Sequence, residues 1–168
     1  MTSWITRAET AADVAAIRDV NLQAFGNDYE PDVIEKLRAD PASWLPGLSI
    51  VATSEDGKVV GHVLLSRCRI DETPAVALGP CAVLPDYQKQ GVGSAVIRTA
   101  LAAARAQGEH LVVLLGHLEY YPRFGFRPAS TFGIDAASVE SGPHLMALPL
   151  DDTPVPAGTI HYPPPWGL

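Results

Sequence analysis

Cysteine is scarce in this chain, with two among 168 residues. Cys68 and Cys81 both fall in apolar, strand-like runs, where a free thiol behaves as a small buried hydrophobe. No CxxC pair and no Cys/His cluster with zinc-ligand spacing occurs, so no metal site is expected. Basic residues are also few. The 12 Lys and Arg against 19 Asp and Glu leave a formal charge of -7, which argues against nucleic acid as a partner and suits a cationic substrate. No apolar run approaches the roughly 18 residues of a membrane span. The opening stretch MTSWITRAETAADV carries Arg7, Glu9 and Asp13 in place of a signal-peptide core. A cytoplasmic protein with no membrane partner is the expectation.

What is present is a large apolar fraction, 47% of the residues, which excludes a disordered chain and suffices for one continuous core. Residues 1–168 are expected to form one domain.

Elements can be read along the chain. WITRAE alternates as a short strand, and Thr10 with Asp13 offers a capping-box start to a helix bearing Val14, Ile17, Val20 and Ala24 on one face. Gly26 ends it. A second helix is expected near Pro31, carrying Val33, Ile34 and Leu37, and PASWLPG reads as loop. The runs LSIVATS and KVVGHVLLSRCRI meet through Asp56-Gly57, a strong hairpin signal. AVALGPCAV is apolar throughout and reads as a strand buried on both faces, yet Gly79-Pro80 interrupts it, so a bulge or edge is expected there. A helix from about Gly91 to Gln107 follows, then strands HLVVLLG, FRPAS and HLMALPL, with a brief helical turn in EYYPRFGF. The tail TIHYPPPWGL is expected to add an edge strand, placed to pair between subunits of a homodimer. The order of elements predicts an α+β fold with a mixed sheet.

One local feature demands a reason. Gly91 and Gly93 sit in the first turn of the long helix, where each glycine costs about 1 kcal/mol relative to alanine. The N–H groups of a first helical turn lack intrahelical partners and carry partial positive charge, so QKQGVGS is suited to hold an anion against its backbone. The stretch lacks the lysine of a P-loop and the third glycine of a dinucleotide fingerprint.

AVLPDYQKQGVG resembles the signature of the GNAT superfamily of acyl-CoA-dependent N-acetyltransferases, [Q/R]-x-x-G-x-[G/A], with Gln88, Gly91 and Gly93 at its fixed positions. About thirty residues on, YYPRFGF is similar to the family element Y-x-[K/R]-x-G-F, through Tyr121, Arg123, Gly125 and Phe126. The resemblance covers roughly Lys58 to Arg127. It implies a single-domain GNAT fold, with a mixed, mostly antiparallel sheet, a bulged central strand and helices on both faces. It implies acetyl-CoA as co-substrate and no metal.

By position, the resemblance assigns the coenzyme pyrophosphate to the backbone of Gln88, Lys89, Gln90, Gly91, Val92, Gly93 and Ser94, and the pantetheine arm to Cys81, Ala82 and Val83. It assigns Tyr121 the role of the acid that protonates the departing thiolate, and it implies direct acetyl transfer in a ternary complex to a primary amine, on a small molecule or a protein. The base is not legible. Many relatives carry a carboxylate on the bulged strand, which AVALGPCAV lacks; Glu119 and His117 are near Tyr121 in sequence and can act through water. The missing carboxylate leaves a non-catalytic acyl-CoA-binding module as the alternative. The acceptor is expected to meet the loops 26–47 and 131–142.

Overall fold

The computed structural model describes residues 4–136 and 142–167. Residues 137–141 of the expected acceptor loop therefore lie outside the described residues. The first strand, β1 (Ile5–Ala8), leads into a short 3-10 turn and then helix α1 (Val14–Phe25). Asp13 fixes this entry. Its carboxylate accepts the Thr10 N–H at 2.7 Å and the Arg7 guanidinium at 2.6 Å, so the expected capping box is present. Gly26, at φ 74°, closes α1 in the left-handed region that side chains resist. Helix α2 (Tyr29–Arg38) starts two residues before Pro31 and buries Val33, Ile34 and Leu37.

Strand β2 (Trp44–Thr53) takes in WLPG, which the sequence suggests is loop. A register shift between Trp44 and Ser49 absorbs Pro46 and Gly47, so proline is accommodated by an irregularity in the ladder rather than by ending the strand. Strands β3 (Val59–Ile70) and β4 (Thr73–Val83) form the centre of the sheet. They are joined by a tight turn at Asp71 and Glu72, with Asp71 at φ 50°. On β4 three steps, Leu78 to Cys81, oppose two on β3, Leu65 to Val63. The extra residue lies at Gly79-Pro80, which establishes the expected bulge.

Helix α3 (Val92–Ala106) is followed by β5 (Leu111–Leu115), the 3-10 turn Tyr121–Phe124, β6 (Arg127–Pro128), β7 (Ile134–Asp135), β8 (Leu145–Pro149) and β9 (Gly158–His161). FRPAS contributes only Arg127 and Pro128 to the ladder, because Ala129–Phe132 turn into a 3-10 helix. The strand order is β1-β2-β3-β4-β5-β8-β6, and among the described residues only β4–β5 and β7–β9 are parallel pairs. Strand β9 takes its partners, β3 and β7, from its own chain. The tail strand expected at an open edge is thus paired internally.

Helices cover both faces. Neighbouring residues of β3 point to opposite sides. His62 meets Asn21 of α1 at 3.2 Å, whereas a Cβ on Gly61 would overlap Val92 of α3. Strand β3 is therefore buried almost throughout, with only Arg67 and Arg69 escaping burial. Burying a large aliphatic side chain contributes roughly 1.5–3 kcal/mol, so Val60, Val63, Leu64 and Leu65 of this strand make a large contribution to the core.

On the α1 face the polar groups are joined in one chain. Asn21 Nδ2 donates to the Ile17 carbonyl and faces His62 Nδ1, which must then accept; the His62 proton resides on Nε2, 2.9 Å from Ser49 Oγ. Ser49 donates to Glu9, whose carboxylate also receives Arg38 through two hydrogen bonds. Burial, reinforced by Arg38, holds the His62 pKa down to about 3. His62 is thus a neutral, satisfied core residue and not a catalyst.

Candidate active site

The parallel pairing of β4 with β5 covers Val76 and Ala77. Beyond the bulge β4 runs on to Val83, and β5 continues to Leu115, without further pairing between them. The two strands part, and the gap is lined by two cavities.

The first, of about 390 Å³, is bounded by β4 from Ala77 to Cys81, by Leu115, Gly116, His117 and Tyr121 after β5, and by Phe25, Glu30, Tyr162 and Trp166. The second, of about 410 Å³, is bounded by Val83, Tyr87, Gln88, Lys89, the start of α3 from Gly91 to Ser94, Tyr120 and Arg123. Cys81 and Val83 point to the same face of β4, about 7 Å apart, one in each cavity. Tyr120 and Tyr121 repeat the relation on the opposite wall, with ring centroids 5.0 Å apart. The cavities are two ends of one cleft.

At the second end the backbone is shaped by Lys89 at φ 62° and Gly91 at φ 85°. The first helical bond of α3 runs from Ala95 N–H to the Gly91 carbonyl, so the N–H groups of Val92, Gly93 and Ser94 precede it. Gly93 matters for space. A Cβ there would stand 3.4 Å from Tyr120 Oη and 3.8 Å from Val83. The turn is braced from outside by Trp4, whose indole N–H donates to the Gln90 carbonyl at 3.0 Å and whose ring packs edge-on against Tyr87. Gln88 donates to the Val83 carbonyl at 3.1 Å, tying the turn back to β4.

At the first end Tyr121 packs edge-on to Phe126, 6.0 Å between centroids, and its ring fills the space where a Gly116 side chain would lie. Burial raises the Tyr121 pKa well above that of a free phenol, and the Cys81 thiol and Tyr120 add to the effect. The phenol is a proton donor at neutral pH. Burial likewise pushes the Cys81 thiol up to about 12, so it is no nucleophile at neutral pH.

The residues expected from sequence are brought together with two exceptions. Cys81, Val83, Gln88, Lys89, Gly91, Val92, Gly93, Ser94 and Tyr121 line the cleft. Ala82 does not, because alternation turns its side chain to the other face of β4, where it is buried in the core. Only its backbone faces the ladder. Gln90 also lines neither cavity; its side chain donates to the Asp86 carbonyl. Of the two candidate bases, His117 lines the first cavity and Glu119 lines neither.

Sequence reading missed Arg123 as a wall of the second cavity, stacked 4.4 Å over Tyr120, although its position in YYPRFGF was a usable signal. It also missed Gly116, Tyr162 and Trp166, for which no local pattern exists; Glu30 falls within the expected acceptor segment 26–47, though it was not singled out there.

Comparison with known proteins identifies the family. Residues 14–126 match the model of the Acetyltransferase (GNAT) family. The chain is 41% identical over 123 residues to the uncharacterized N-acetyltransferase YjhQ of Escherichia coli K12, covering 71% of this chain and 67% of that protein. It is 30% identical over 128 residues to YhbS of the same strain, also an uncharacterized N-acetyltransferase, covering 75% of each. Among solved structures, a GNAT acetyltransferase from Brucella melitensis in complex with acetyl-CoA superposes with a TM-score of 0.80 at 32% identity, over 99% of both chains. Escherichia coli YhbS in complex with CoA superposes with a TM-score of 0.91 at 24% identity, over 100% of this chain and 94% of that one. The chain belongs to the GNAT acetyltransferase family.

Proposed function

We propose that residues 1–168 act as one cytoplasmic N-acetyltransferase domain that moves the acetyl group of acetyl-CoA directly to a primary amine in a ternary complex. The observation that carries this reading is the continuity of the cleft. An amide-rich helix start and two cations lie at one end, a protonated phenol lies at the other, and between them runs a stretch of β4 that is paired with β3 but not with β5.

In this reading the backbone from Gln88 to Ser94 holds the coenzyme pyrophosphate, with Lys89 and Arg123 adding charge. A few charge-assisted hydrogen bonds, roughly 1.5–3 kcal/mol each, offset the helix propensity lost at Gly93, whereas Gly91, at φ 85°, stands before the helix in a conformation that favours glycine. The backbone of Cys81, Ala82 and Val83 holds the pantetheine arm, which leads the thioester to Tyr121. The amine nitrogen attacks the thioester carbonyl carbon, the resulting oxyanion collapses with cleavage of the C–S bond, and the thiolate takes its proton from Tyr121 Oη. The acceptor ammonium gives one proton to water before the attack, and the proton that the acylated nitrogen sheds on collapse restores the Tyr121 phenol. Support for the coenzyme comes from the acetyl-CoA complex of the Brucella relative.

Thermal unfolding with acetyl-CoA, CoA and ATP, followed by thiol release with amines, tests the proposal. Ligand at 100 times its dissociation constant adds about 2.7 kcal/mol of stability. A rise with both coenzymes and none with ATP, with thiol release on adding amine, is expected. No rise with either coenzyme overturns it; a rise without thiol release for any amine leaves an acyl-CoA-binding module.

A further inference from the structure

The first cavity contains more than the machinery just assigned. Three buried polar atoms of its lining residues have no hydrogen-bond partner among the described residues: Glu30 Oε1, Tyr162 Oη and Trp166 Nε1. An unpartnered buried polar atom costs roughly 1–3 kcal/mol, so three at one cavity call for a ligand or solvent to meet them. They are chemically distinct. Glu30 is the one carboxylate lining this cavity, and the Trp166 indole N–H can only donate. Phe25, Tyr121, Tyr162 and Trp166 supply aromatic surface between them.

The wall bearing Trp166 is anchored in place. Tyr29, adjacent to Glu30 on α2, donates its hydroxyl to the Trp166 carbonyl at 2.6 Å, and the two rings lie 6.1 Å apart. Tyr162 follows β9, which is held to β3 by the pairs Ile70–Ile160 and Arg69–His161. Carboxylate and indole are thus held on elements fixed to each other and to the central sheet.

We infer that this cavity selects a small primary amine with an apolar or aromatic body and a nearby acceptor oxygen, its ammonium received by Glu30 and its oxygen by the Trp166 N–H. The inference rests on the acetyltransferase reading for the orientation of the amine toward Tyr121. The volume of about 390 Å³ is that of a small-molecule site. A carboxylate recognises the cationic form, aromatic faces favour the same charge, and the donor-only indole demands an acceptor that a plain alkylamine lacks.

Calorimetric titration of the CoA-saturated protein tests this with three probes: phenylalaninamide, 2-phenylethylamine and N-acetylphenylalaninamide. Phenylalaninamide should bind at least tenfold more tightly than 2-phenylethylamine, which lacks the oxygen, and than the N-acetyl probe, which lacks the charge. Glu30→Gln should weaken phenylalaninamide at least tenfold, and Trp166→Phe should remove its advantage over 2-phenylethylamine, with acetyl-CoA affinity unchanged in both variants. Equal affinity for the three probes, no amine binding at all, or an unaltered Glu30→Gln variant overturns the inference while acetyl-CoA binding stands. Failure of the unsubstituted protein to bind acetyl-CoA overturns the acetyltransferase reading instead.

Discussion

Ser94 Oγ lies 2.9 Å from Tyr120 Oη, joining the first turn of α3 to the turn that follows β5 across 26 residues of sequence. The bond links the two walls of the cleft, and Tyr120 is held from its other side by Arg123. Tyr120→Phe should lower stability by about 1 kcal/mol, the usual net value of one hydrogen bond, read as a shift of the urea midpoint at constant slope. An unchanged midpoint would show that the bond contributes nothing.

Gly93 separates folding from binding. Alanine there favours the helix by up to about 1 kcal/mol, and the contact of 3.4 Å to Tyr120 Oη is tolerable. The added methyl nevertheless stands among the amides proposed to hold the pyrophosphate. Gly93→Ala should keep or raise the melting temperature while raising the KM for acetyl-CoA tenfold or more. A variant with normal KM would remove the glycine turn from the coenzyme site.

Tyr121 can be tested twice. Tyr121→Phe removes the proton and should cut kcat by about 10²- to 10⁴-fold, with the KM for acetyl-CoA little changed. Gly116→Ala leaves the phenol in place chemically but displaces its ring, because the new Cβ overlaps it. Its kcat should fall in the same direction. Full turnover in Tyr121→Phe would end the acid assignment.

His62 sets a pH dependence of stability. In the unfolded chain imidazole binds a proton below about pH 6.5, whereas the folded group stays neutral down to about 3. Unfolding therefore takes up a proton in this window, and stability should fall as pH drops from about 6.5 toward 3, by on the order of a few kcal/mol. Asp13, whose carboxyl is lowered chiefly by its bond to Arg7, adds a further loss below about pH 4. Denaturant titrations of His62→Gln should show a flatter dependence between pH 6.5 and 4. An unaltered slope would place the titration elsewhere.

Much of the proposed coenzyme end was legible because its determinants are local. Gly91 and Gly93 are visible as helix-start glycines, Gly79-Pro80 as an interruption in an apolar run, and Tyr121 through the spacing of YYPRFGF. The rest of the first cavity was legible mainly through the segment 26–47, which supplies Glu30, because Phe25, Gly116 and Trp166 come from other segments and meet it only through the topology. Short strands were the other loss. Trp44 to Gly47 reads as loop because of its proline and glycine, and β7 is two residues long, too short for any periodicity.

The attachment of β9 gives the molecule two unequal stabilities. Strands β3 and β4 share a ladder of nine pairs, whereas β9 is held to β3 by two and to β7 by two. Tyr162 and Trp166 thus follow a strand with fewer ladder pairs than the central sheet, which is expected to open locally before that sheet does. Its backbone amides should exchange with solvent through local opening, long before those of β3. The Trp166 wall of the first cavity then has its own melting equilibrium, and a molecule bound beneath it would shift that equilibrium without having to stabilise the whole protein.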